Sequence, residues 1–292
     1  MSYREFMVLL LVCLIWGLHF IVMKLTVGYT ADPLFYAAMR MSLVAIIMLP
    51  WLKWHGKLMK PIFGAGLGYG ALNYAFMFPA LKYTTASTAA IMIELYVPFS
   101  IILSMMIFKD RIGRFKLLGI ILALLGVVII SFAKPYEAAG PYYLFGVFLM
   151  IGAAFSEAVG AVLVKFVRSV GPLHLLSWFA VIGCLVLWPL TILLENEQLK
   201  AFEVNNRLNF MLALAYSSLL VSIVAHGSYY WLLQRLPIYV VSTAGLMTTV
   251  IAVIASVLIL NEKLSPQLLF GGLVVLSGVG LILMRNNSAV EK

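Results

Sequence analysis

Acidic residues are scarce in this chain, and aspartate is nearly absent. Of 292 residues, 11 are acidic and two are cysteine. The two aspartates, Asp32 and Asp110, fall at the edges of apolar runs, so no paired-aspartate catalytic site can form within them. HExxH and GxSxG are also missing, which removes the common metal-dependent and serine hydrolase chemistries. Cys13 and Cys184 both lie inside apolar runs and read as packing residues, not as a disulfide or metal ligands. No nucleotide-binding motif occurs. The glycines of "GAGLGYG" at 64–70 have the wrong spacing for a dinucleotide fingerprint and fit close helix packing instead. Neither a cofactor nor a metal is expected.

What fills the chain is apolar surface. Hydrophobic residues make up 64% and charged residues 11%, whereas soluble domains carry about 25% charged. The mean hydropathy is +1.06. Apolar runs recur along the whole length, which predicts an all-α polytopic membrane protein. Ten spans are expected, at about 6–26, 34–54, 62–80, 85–108, 117–133, 143–166, 173–194, 209–232, 238–260 and 267–284. The first run follows "MSYRE" without a small-residue cleavage site after it, and reads as a retained span.

The net charge is +9. No basic stripe with interleaved aromatics lies outside the apolar runs, so nucleic acid is not an expected partner. The charge instead orients the chain. With the N-terminus inside, cytoplasmic segments hold thirteen Lys and Arg (positions 4, 53, 57, 60, 109, 111, 114, 116, 165, 168, 235, 285 and 292). The outer loops hold five (82, 134, 200, 207 and 263). Both termini are therefore expected in the cytoplasm.

The chain also repeats itself. "FKDRIGRFKLLGIILALLGVVII" at 108–130 aligns without gaps on "LNEKLSPQLLFGGLVVLSGVGLI" at 260–282. This places Asp110 on Glu262, Arg111 on Lys263, Gly119 on Gly271 and Gly126 on Gly278. Two duplicated units are expected, residues 1–137 and 138–292, each of five spans. Five is odd, so the second unit enters the membrane from the opposite side. Inverted repeats of this kind build secondary transporters, with the site near the membrane midplane between the halves.

"LIWGLHFIVMK" in span 1, "MIELYVPFSIILSMMIFKDRIGRFKLLGIILALLGVVII" in spans 4–5 and "VLILNEKLSPQLLFGGLVVLSGVGLIL" in spans 9–10 resemble the drug/metabolite transporter superfamily, EamA type. The resemblance covers essentially the whole chain. It implies ten spans, inverted five-span repeats, a central cavity and export of small metabolites. Length and spacing look most like the bacterial aromatic amino acid exporters of that superfamily. It thus implies the bacterial inner membrane, with an amino acid substrate and the lipid bilayer as partners; a monomer is expected. One departure stands out. Family members often carry a proline in both span 4 and span 9, but here Pro98 falls on Val250.

Ionisable groups inside a membrane are costly and usually face a cavity or a partner. Glu94 and Glu157 are the clearest cases, followed by His19 and His226. Glu94 shares a helix face with Pro98, which removes a backbone donor and is expected to free the carbonyl near Glu94, making a hinge in a cavity wall. The alternative is a structural pair of Glu94 with Arg40 or Lys24. Lys24, Arg40 and Lys165 lie nearer span ends, where long side chains snorkel to the interface. Span 8 carries a stripe of Ser218, Ser222, His226 and Tyr229 or Tyr230. The repeat offset places His226 on Tyr74 and Tyr230 on Phe78, with Asn73 adjoining Tyr74. Trp16 and His19 share a face of span 1. Ser242 and Thr249 flank Leu246, the repeat partner of Glu94, although hydroxyls there can bond their own helix. The candidate substrate site is therefore Trp16, His19, Asn73, Tyr74, Glu94, Glu157, His226, Tyr230 and Ser242, with Pro98 as hinge. An acid, histidines and aromatic rings suit a zwitterion with a hydrophobic side chain. A multidrug or other metabolite exporter is the alternative. A channel would need repeated polar rings along a pore, and the asymmetric aromatic lining argues against it.

Overall fold

A computed structural model describes residues 2–29, 31–109, 113–132, 142–233, 235–236 and 238–284; for Tyr230 and Ser242 it describes the backbone alone. The described residues are all-helical. The helical segments are α1 (Tyr3–Tyr29), α2 (Pro33–Ile47), α3 (59–83), α4 (Ala86–Phe108) and α5 (Arg114–Ser131) in the first half. They continue as α6 (Tyr143–Val164), α7 (Pro172–Leu194), α8 (204–233), α9 (Ile238–Leu260) and α10 (Pro266–Met284) in the second. Seven of them are long and apolar enough to cross a membrane, and Pro33–Ile47 and Ala244–Leu260 are shorter apolar helices. Large side chains such as Leu118, Leu125, Leu193 and Leu273 are exposed on the outside, which suits contact with lipid tails.

Three helices depart from the regular spans read in sequence. The second was expected to run to residue 54, but α2 stops at Ile47 and a single 3₁₀ turn, Leu49–Trp51, follows. Pro50 has no N–H to continue the helix and its ring clashes with the preceding turn. Within α3 and α8 the α-helix opens into π-helix, over Leu67–Leu72 and Tyr216–Ala225 respectively. At the repeat offset of 152 the first stretch falls on 219–224, inside the second. Both halves therefore place a π-helical stretch at the same level, immediately before Asn73 and Tyr74 in one and His226 in the other.

Packing is symmetric under exchange of the halves. Helix α1 packs on α9 and α6 on α4; α3 packs on α6 and α8 on α1; α2 packs on α7, α4 on α9 and α5 on α10. The direction of α5 against α10 is read from glycines. A Cβ on Gly119 would lie 2.6 Å from the Gly278 carbonyl oxygen, and one on Gly126 would lie 2.6 Å from the Gly271 carbonyl oxygen. Equivalent residues are crossed rather than matched, so the two helices run antiparallel, as two halves of opposite orientation require. Close backbone approach across small residues is the usual packing device inside lipid.

The alternating glycines of α3 serve both neighbours. Gly64 and Gly68 face Leu163 and the Ser156–Gly160 backbone of α6, while Gly66 and Gly70 face Ile182 and Phe179 of α7. Spacing of four residues keeps each pair on one side of the helix. Carboxylates from the second half cap helices of the first. Glu195 accepts from the Leu34 and Phe35 N–H groups at 2.7 and 2.8 Å. Glu262 accepts from Ala86 N–H at 2.6 Å and Ser87 N–H at 3.1 Å. Free N–H groups at a helix N-terminus are natural anion partners, so Glu262 needs no cation to stay buried. Its repeat mate Asp110, like Arg111, lies outside the described residues.

Candidate functional site

The polar groups of the membrane interior gather at two poles where α3 meets its neighbours. The acidic pole lies between α3, α4, α6 and α9. Glu94 is buried, and its Oε1 accepts a hydrogen bond from Thr249 Oγ1 at 2.8 Å. Thr249 also lies 3.2 Å from the Ala90 carbonyl, so its one proton is shared between the two acceptors. No Lys or Arg nitrogen lies within 4.0 Å of Glu94 among the described residues. The structural pair with Arg40 or Lys24 is thus not formed. Lys24 instead donates to the Leu81 and Thr84 carbonyls, each at 2.6 Å, and closes the C-terminal end of α3. Glu157 is half-buried and accepts from Asn73 Nδ2 at 3.2 Å, while Asn73 also donates to the Ala153 carbonyl at 3.0 Å. The two glutamates lie within electrostatic reach of each other, and both lie within reach of Tyr96.

The backbone at Glu94 differs from expectation. Pro98 does remove a donor, but the Glu94 carbonyl is not left free: Val97 N–H reaches it at 3.1 Å. Glu94 N–H and Leu95 N–H likewise bond three residues back, to Ile91 and Met92 at 3.3 and 3.2 Å. The chain has tightened into a 3₁₀ turn between Ala86–Ile93 and Tyr96–Phe108. Such a turn inside a long helix marks a break in its axis.

The basic pole lies between α1, α2, α3 and α8. Arg40 is 1% exposed, so it does not snorkel to an interface. Its Nη2 donates to Ser222 Oγ at 3.1 Å, and Nη1 lies 3.4 Å from His19 Nε2. The guanidinium carbon sits 4.7 Å from the centre of the Tyr74 ring, a cation–π contact. His226 places Nδ1 2.7 Å from the Val221 carbonyl. A carbonyl only accepts, so Nδ1 carries the proton, and Nε2 of the neutral ring is an acceptor. This bond spans five residues, as does Ser222 Oγ to the Ser217 carbonyl at 3.0 Å. Both match the π-helical pitch of α8. The Trp16 ring lies 5.2 Å from His226 and 5.2 Å from Tyr229.

Asn73 belongs to the acidic pole and Tyr74 to the basic one. Adjacent Cα atoms are about 3.8 Å apart, so α3 joins the poles at a single step of chain. Trp16, Tyr74, Glu157 and His226 keep part of their surface open, while His19, Arg40, Asn73 and Glu94 are buried behind them. Of the residues named from sequence, eight occupy these poles with described side chains if Pro98 is counted beside Glu94. Those of Tyr230 and Ser242 lie outside the described residues. Sequence reading missed Arg40 and the cross-helix role of Thr249. No group of three or more His, Cys, Asp or Glu able to hold a metal occurs among the described residues.

The EamA-like transporter family matches residues 4–132 and again 144–284, once for each half. The chain belongs to the EamA-like transporter family. It is a multi-span membrane transporter and not an enzyme. It is 27% identical over 286 residues to a protein of Salmonella typhimurium named "Probable amino-acid metabolite efflux pump", covering 96% of this chain and 94% of the relative. The protein of the same name in Escherichia coli is 26% identical over 288 residues, with the same coverage. An "Uncharacterized transporter" of Archaeoglobus fulgidus is 28% identical over 289 residues, covering 96% of this chain and 98% of its own. A solved crystal structure aligns over 100% of both chains with a TM-score of 0.63 at 14% identity, a likeness of fold alone.

Proposed function

We propose that the protein exports amino acids, including aromatic and other large apolar ones, across the bacterial inner membrane. It does so as a monomer, by alternating access to the site between residues 1–137 and 138–292. The observation that carries this reading is the pair of poles: carboxylates on one side of α3, and a guanidinium with two imidazoles on the other. A zwitterion has the complementary charges at its two ends. Each charge-assisted hydrogen bond contributes about 1.5–3 kcal/mol, enough to orient an amino acid without trapping it. The half-open Trp16 and Tyr74 rings suit a flat or apolar side chain. The printed names of the two bacterial relatives support the substrate class. Pro98 and the 3₁₀ turn at Glu94 supply a hinge beside the acidic pole.

Purified protein in liposomes should move labelled phenylalanine, methionine or threonine faster than empty liposomes do, with competition by unlabelled amino acid. If a quaternary ammonium dye or a sugar moves and no amino acid moves or competes, the multidrug or general metabolite reading replaces this one. The same vesicles with and without a pH gradient separate proton coupling from facilitated diffusion.

The thirteen-to-five distribution of Lys and Arg supports cytoplasmic termini and a cytoplasmic 53–60 loop. A single cysteine replacing Lys57 should stay unlabelled by an impermeant thiol reagent in intact cells and react after permeabilisation. Efficient labelling from outside would reverse the topology.

A further inference from the structure

We infer that Arg40 is the group that receives the carboxylate of the transported molecule, with Tyr74 as the movable ring between it and the open part of the site. The inference rests on the amino acid reading and assigns one end of the substrate to one residue.

Arg40 carries an unbalanced charge. Arg40 is the largest fully buried side chain among the described residues, at 1% exposed. Its guanidinium is always protonated and carries five N–H donors. Among the described residues two neutral partners take them: Ser222 Oγ at 3.1 Å and His19 Nε2, distant at 3.4 Å. Nε is buried with no hydrogen-bond partner among the described residues. No carboxylate lies within 4.0 Å of it among the described residues, although Glu94 and Glu157 stand on the far side of α3. A buried cation without an anion is strongly disfavoured unless something outside the chain supplies the anion. A planar guanidinium with spare parallel donors matches a carboxylate, which it binds in a two-pronged fashion. Tyr74 is half-buried and covers the guanidinium face at 4.7 Å. Ser222 and His19 therefore hold the Nη end of the group, while the Tyr74 ring, itself edge-on to Phe78 at 5.6 Å, covers its face. Arg40 sits at the eighth of the 15 residues of α2. It is a mid-helix residue whose guanidinium is enclosed by protein.

The test compares phenylalanine with phenylalaninamide, which keeps the ammonium and ring and lacks the carboxylate. As competitors of labelled phenylalanine transport in wild-type liposomes, the free acid should win by about 10- to 100-fold, the worth of one charge-assisted pair. In Arg40→Gln the preference should fall to near one, with affinity for the amide unchanged. Arg40→Lys keeps the charge but loses the fork, and should retain only part of the preference. A wild-type acid-to-amide ratio in Arg40→Gln overturns the assignment. So does a ligand-free Arg40→Gln that is markedly less stable than wild type and keeps that ratio, which marks a structural arginine. If Arg40→Gln cannot be recovered folded, thermal shift of wild type and Arg40→Lys decides. Phenylalanine should raise the wild-type melting temperature more than it raises that of Arg40→Lys, and the amide should move both equally. Equal shifts by acid and amide in wild type overturn the assignment. If wild-type liposomes move no amino acid, the functional reading fails on its own. Arg40 is then judged with phenylpropionate, which lacks an ammonium. Stabilisation of wild type but not of the Arg40 variants upholds the carboxylate role, and the lack of any difference ends it.

Discussion

Replacing Glu94 by glutamine should lower the rate of amino acid transport by at least about tenfold, while folded protein is recovered at the parent's level and melts no lower. Glutamine keeps the length of the side chain, and its carbonyl oxygen can still accept from Thr249, which holds Glu94 Oε1 at 2.8 Å. Neither packing nor that hydrogen bond is lost. What is lost is an ionisable carboxyl buried with no cation within 4.0 Å among the described residues. Removing an uncompensated buried charge relieves a desolvation penalty, so stability should hold or rise. Function should suffer for the complementary reason, since a neutral amide can neither balance an ammonium nor take a proton. Initial rates in liposomes, paired with melting followed by size-exclusion fluorescence in detergent, separate the two effects. Normal turnover with a lowered melting temperature would make Glu94 a structural residue of the α4 break and remove it from the acidic pole.

Much of the fold was legible in the sequence because bilayer thickness fixes span length and duplication leaves a register. Glycines 119, 126, 271 and 278 were aligned as repeat mates, and they are the four that bring α5 and α10 into backbone contact. Half of the site was legible for the same reason, since the register placed His226 on Tyr74. What failed depended on local geometry. Arg40 was read as near a span end because the second apolar run extends to residue 54. The helix itself spans only Pro33–Ile47, which puts Arg40 at its middle. Thr249 was discounted because a hydroxyl can bond its own helix; whether it does so or crosses to Glu94 is decided by the neighbouring helix, not by the chain around it. The freed carbonyl expected from Pro98 was taken by Val97, because a helix can tighten to bonds three residues back. The π-helical stretches gave no pattern that hydrophobic periodicity detects.

The contact between the halves should be intolerant of a single methyl group at one position and tolerant two residues away. A Cβ on Gly278 would lie 2.6 Å from the Gly119 carbonyl oxygen and 2.7 Å from the Ala123 backbone nitrogen. Those atoms belong to a helix backbone and cannot rotate aside as a side chain would. Gly278→Ala must therefore push α10 away from α5. The cost should be about 1–3 kcal/mol or more, read as a melting temperature lower by several degrees and a smaller monodisperse yield. Gly280→Ala lies on the same helix, but its Cβ would meet only Leu246 Cδ1, at 3.9 Å. That is ordinary contact, and alanine in a helix interior is favoured over glycine by about 1 kcal/mol, so this variant should melt with the parent or slightly above it. The repeat supplies a second check. Gly119→Ala meets the Gly278 carbonyl oxygen at 2.6 Å from the other side and should cost about as much as Gly278→Ala. The double variant should cost less than the sum, because helices already separated by one methyl accommodate the second more cheaply. Strict additivity, or a Gly278→Ala protein as stable as Gly280→Ala, would mean that α5 and α10 do not meet backbone to backbone.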